Sequence, residues 1–267
     1  MKTILLAKKL GKSKEETQSL IMPAGSLKSA ELERMLSAKN ADELYLAIRG
    51  TEFGANFFSS VSIRKIPKTQ IKAALQYNTS DTAKLDMFLT ALDFYYYEMA
   101  TSINTAGDKD TQAIVKLLRS EIDAKNMMTI LRLKREKADR KTIMENMVDG
   151  GSIYRAQLEK LAAANEISDI IASISKFFIS ETGVEEFTRA EQLYKADNRL
   201  SQFEVVFEKS IARRSLHTLR SSILSIGAIA GFFLLKEEEM QNLKKIAHGK
   251  TMGIPSEQIS EMLVFAD

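Results

Sequence analysis

Thr3-Ile4-Leu5-Leu6-Ala7-Lys8-Lys9 reappears further along the chain as Thr129-Ile130-Leu131-Arg132-Leu133-Lys134-Arg135, an offset of 129 − 3 = 126 residues. The register persists downstream: Ala24-Gly25-Ser26-Leu27 falls on Gly150-Gly151-Ser152-Ile153, Leu32-Glu33 on Leu158-Glu159, and Leu44, Tyr45 and Ile48 on Ile170, Ile171 and Ile174. A second offset, 242 − 126 = 116, carries Asn126 onto Asn242, Ile130 onto Ile246, Lys134 onto Lys250 and Ile143 onto Ile259. Phe88 and Leu92 meet Phe203 and Phe207 at 203 − 88 = 115. A pattern that returns in fixed register marks an internal repeat, each copy being one packing unit. The chain therefore divides into a first copy at residues 1–81 without its front, a complete second copy at 82–195, and a third at 196–267 without its back.

The apolar spacing within the copies is helical. Phe88, Leu92 and Tyr96 stand four apart, Ile122, Asn126 and Ile130 share a face, and no strand-like alternation is sustained. Helix starts are written into Ser13-Lys14-Glu15-Glu16 and Asn40-Ala41-Asp42-Glu43, where a capping side chain is followed three residues on by Glu. Pro255, equivalent to Ser13, suits a first helical turn that needs no amide donor, and Gly25, Gly150 and Gly151 mark a repeated turn. Only 3 Pro and 12 Gly occur in 267 residues, which argues against a strand-rich fold with its many tight turns. The expected class is all-α, short helices joined by short loops.

Composition excludes much chemistry. With no Cys there are no disulfides, thiolate ligands or cysteine nucleophiles, and 38 basic against 35 acidic residues is too even a balance to demand nucleic acid or an anionic membrane. The apolar run Ile4-Leu5-Leu6-Ala7 ends at Lys8-Lys9, well short of a signal peptide's apolar region. The longest apolar stretch, Ile223 to Leu235, is broken by Ser225 and two glycines and falls below the roughly 18–20 residues of a bilayer span. It reads as a buried core helix, so membrane association would go through other proteins.

Candidate chemical groups are few. His217 and His248 are the only histidines and lack metal-ligand spacing, and Gly249-Lys250-Thr251 lacks the upstream Gly and strand of a phosphate-binding loop. No catalytic residue, cofactor or metal site is expected, and the chain is expected neither to bind nor to hydrolyse ATP. The basic run from Lys134 to Lys141, with its copies at Lys8-Lys9 and Lys250, lies at a repeated helix end and reads as capping of exposed carbonyls. Glu237-Glu238-Glu239 reads as a solvated face, since three successive helical residues point apart. Glu121, Asp123, Asn126 and Arg132 recur in part as Glu237, Glu239, Asn242 and His248, and an Asn on an apolar face is more often a packing and register device than a catalytic group. Of Tyr95-Tyr96-Tyr97, one ring should turn inward and at least one remain partly exposed; these rings and the pair Arg213-Arg214 are the candidate partner contacts.

Glu121-Ile122-Asp123-Ala124-Lys125-Asn126-Met127-Met128-Thr129-Ile130-Leu131-Arg132 resembles the E-x-D-x-x-N pattern, ending in Arg, of the C subunit of archaeal and bacterial A/V-type ATPases, related to the d subunit of the eukaryotic vacuolar pump. Ser225-Ile226-Gly227, Lys236 through Leu243, Ile246-Ala247-His248-Gly249-Lys250 and Gly253-Ile254-Pro255 look like that family's C-terminal signature. The resemblance implies three similar helical domains arranged as a funnel. It would be a non-catalytic central-stalk part, peripheral on the cytoplasmic face of the membrane. It would couple the shaft subunits to the proteolipid ring during ATP-linked proton or sodium transport, touching the membrane only through the ring. A generic helical-repeat adaptor outside any ATPase shares the periodicity but does not need the C-terminal signature. Family members usually begin several tens of residues earlier. Since 126 − 126 gives position zero, copy one starts just after the place of its own Asn. The native product is therefore expected to be longer, or residues 1–20 to be poorly packed with Ile4, Leu5 and Leu6 partly exposed.

Overall fold

The computed structural model describes residues 1–21, 25–60, 80–102, 109–182, 184–221 and 225–266. Ala24 and Ile223, which entered the repeat and apolar-stretch readings, lie outside them. The described residues form helices and no strand: α1 (Lys2–Lys9), α2 (Lys14–Ser19), α3 (Ser29–Ser37), α4 (Ala41–Arg49), α5 (Glu52–Ser59), α6 (Asp81–Thr101), α7 (Lys109–Arg135), α8 (Arg140–Glu145), α9 (Arg155–Ala163), α10 (Ile167–Thr182), α11 (Val184–Asp197), α12 (Ser201–Ser221), α13 (Ile226–Thr251) and α14 (Ser256–Glu261). The chain is all-α.

Local chemistry sets the same helix starts in successive copies. Lys14 + 126 is Arg140 and Arg140 + 116 is Ser256, the first residues of α2, α8 and α14. Ahead of each stands one residue in the left-handed region: Gly11 at φ 68°, Lys137 at 60° and Gly253 at 69°. Glycine adopts that conformation without strain, whereas Lys137 holds it against the Cβ penalty. Ser13 then accepts from the Glu16 amide while Glu16 accepts from the Ser13 amide, completing the capping box, and Asp139 accepts from the Thr142 amide at 2.7 Å. Pro255 occupies the cap position itself, one residue before the first turn where it was expected, and makes no side-chain cap. The turn glycines slip by one: the left-handed residues are Gly25 and Gly150, 125 apart, although α3 and α9 again start 126 apart.

Two compact units form, Met1–Met99 and Ala100–Asp267. In the first, Ile4, Leu5, Met35, Leu44, Ile48 and Phe57 make a core completed by Leu85, Phe88 and Leu92 of α6. In the second, Met127, Ile130 and Leu131 of α7 pack with Leu158, Leu161, Ile170 and Ile174, and Phe203 and Phe207 of α12 complete that core. Each time, a helix that leads one sequence copy closes the core of the copy before it, which is why a compact unit runs past residue 81. Ile4 and Leu5 are fully buried for the same reason, so the loose packing expected at the start is not found there; Leu6 is exposed.

Candidate interaction surface

The recurring motif builds a rigid frame. On α7 the Asn126 carboxamide donates to the Val148 carbonyl and accepts from its amide, both at 2.8 Å; on α13 Asn242 does the same to Val264, at 2.6 and 3.0 Å. An Asn side chain has one donor and one acceptor side by side, which matches a single residue's backbone and stitches the returning chain to the long helix. Asp123 is buried and accepts from the Ser152 and Ile153 amides at 3.0 and 3.1 Å, while a Cβ on Gly151 would overlap its carboxylate. Burial pushes its pKa up against the pull of those two amides. Its copy Glu239 is exposed instead and pairs with Lys236 at 2.5 Å. Arg132 forks onto Glu204 at 3.0 Å from each oxygen, and Lys8 and Lys134 donate to Ala38 and Ala164 carbonyls, 126 residues apart in both donor and acceptor. These lysines do satisfy carbonyls, but at the end of a neighbouring helix rather than their own.

Charge is less evenly solvated than the sequence suggests. Glu121, half-buried on α7, has a pKa pushed up to about 7, mainly by burial and further by the carboxylate of Glu237, its own repeat counterpart on α13. Glu238 turns inward from the expected solvated face; burial and then Glu208 raise its pKa, and Lys245 at 3.6 Å offsets them in part.

The candidate contacts separate. Tyr95 turns inward, its ring edge-on to Phe53 and Phe57 at 5.6 and 5.4 Å, while Tyr96 is exposed and Tyr97 half-buried, their rings 5.0 Å apart. Position 95 rather than 96 continues the Phe88 and Leu92 face, because a spacing of seven returns to one stripe whereas eight drifts past it. Arg213 and Arg214 are tied into the fold. Arg213 is half-buried against Glu186 at 2.8 Å, Lys209 reaches the same carboxylate at 3.2 Å, and Arg214 donates to the Ser120 hydroxyl. Burial pushes the Glu186 carboxyl up, but the two cations outweigh it and hold it below its ordinary value. Changing this pair to Glu would break internal bonds, so it is not a neutral surface change.

The apolar stretch expected to form a buried core helix is only partly buried where it is described. On α13, Ile226, Ile229, Phe232, Phe233, Met240 and Leu243 are exposed, whereas Gly227, Gly231 and Gly249 are buried. A Cβ on Gly231 would stand 2.6 Å from the Ser215 carbonyl, so glycine lets α13 lie close on α12. Small residues inside and large ones outside reverse the usual pattern, and contiguous exposed apolar surface of this kind marks an interaction site. The sequence signal was the Ile226-Gly227 and Gly231-Phe232 spacing, which sets the glycines on one face and the bulk on the other. No helix among the described residues is long and apolar enough to cross a membrane.

Nothing comparable gathers for chemistry among the described residues. His217 and His248 are exposed on separate helices, and no group of three or more acidic or His side chains could hold a metal ion. A cavity of about 570 Å³ between α2 and α3 is lined by Gln18, Ile21, Leu32 and Leu36, with Glu33 as its one charged group.

Known proteins share this frame. Residues 1–262 match the family described as ATP synthase (C/AC39) subunit. The C subunit of the A-type ATP synthase of Methanosphaera stadtmanae is 28% identical over 272 residues, covering 99% of this chain and 64% of the relative. Those of Methanobrevibacter smithii and Methanocaldococcus jannaschii are both 26% identical, again over 99% of this chain and 64% and 62% of the relatives. The chain thus spans somewhat less than two thirds of the length of these curated relatives. With a match that runs almost end to end, the chain belongs to the ATP synthase (C/AC39) subunit family.

Proposed function

We propose that this chain is a non-catalytic central-stalk part of a rotary A/V-type ATPase, joining the rotating shaft to the membrane proteolipid ring while ATP turnover and proton or sodium transport occur in other subunits. The family match across residues 1–262 carries this reading, and the relatives are named as parts of A-type ATP synthases. The frame supports it physically. Torque passes through a part whose elements cannot slide, and the Asn126 and Asn242 clamps, the Asp123 turn and the glycine-tight α12–α13 contact fix register at several points. Three copies, 1–81, 82–195 and 196–267, would stand around the rotation axis as a funnel, at the cytoplasmic face and in contact with the membrane only through the ring. Tyr96 and Tyr97 remain proposed contact rings on this reading. Arg213 and Arg214 remain so only through the part of each side chain that stays exposed beside its internal bonds.

Separate pull-downs test it: immobilised shaft subunits in one, vesicles carrying the purified ring in the other. Binding to both is expected. Binding to neither overturns the proposal, and retention of micromolar nucleotide by the chain alone would contradict its non-catalytic part.

A further inference from the structure

We draw no further inference here: the strongest candidate, the apolar outer face of α13 around Phe233, Met240 and Leu243, is bare among the described residues, and nothing in the structure shows what covers it.

Discussion

Replacing Asn126 by Ala removes a side chain that serves two buried backbone groups at once. Asn126 and Val148 are both almost completely buried, and the carboxamide is the hydrogen-bond partner of the Val148 amide and carbonyl at 2.8 Å each. A buried group stranded without a partner costs about 1–3 kcal/mol, so two give roughly 2–6. Alanine recovers a little over half a kcal/mol as the better helix former, which leaves a net loss of about 1.5–5 kcal/mol. Asn242→Ala breaks the same pair of bonds to Val264, which is itself as buried as Val148, but Asn242 is half-buried, so truncating it opens a path for water to those groups and the loss should be smaller, about 1–2 kcal/mol. Both are measured by urea unfolding followed by circular dichroism, with amide exchange at Val148 and Val264 as the local readout. Val148 exchange should accelerate by orders of magnitude in the first variant alone. A loss under 1 kcal/mol for Asn126→Ala, or equal losses for the two, would refute the clamp argument.

Glu121 makes stability pH-dependent. Its folded pKa of about 7 lies above the unfolded value, so the native state binds the proton more tightly between about pH 4.5 and 7. Stability should therefore fall as pH rises through that window and level off above it, by about 2 kcal/mol once residual solvent screening is allowed for. Glu121→Gln should flatten the profile and be the more stable protein at pH 8; parallel urea profiles for the two proteins would contradict this. Gly151→Ala drives a methyl into the Asp123 carboxylate and should lower stability by about 2 kcal/mol, whereas Gly25→Ala meets no neighbour and suffers only left-handed strain of about 1 kcal/mol. Thermal melts compare the pair, and equal shifts would show that the overlap at Gly151 relaxes freely.

The helix starts were legible because they are local: the Ser13 to Glu16 box and the Asn40 cap on Glu43 need only a few neighbours in the chain. Asn126 could be read as a register device from its place between Ile122 and Ile130, though Val148 as its partner could not. What failed was long-range. An apolar run says that a face avoids water, not whether this chain or another covers it, so α13 passed for a core helix. The internal partners of Arg213 and Arg214, Glu186 and Ser120, could not be read because they lie 27 and 94 residues away. Partial exposure of Ile4 and Leu5 was expected because copy one lacks its own leading helices; α6, from the next copy, shares their core instead.

The most direct measurement removes this chain from the intact rotary complex and follows ATP hydrolysis and ATP-driven ion uptake side by side in sealed vesicles. The coupling role predicts that hydrolysis persists, uptake is lost, and both return to step when the purified full-length native protein is added back. Uptake that continues unchanged without the chain, or hydrolysis that stops with it, would contradict the account.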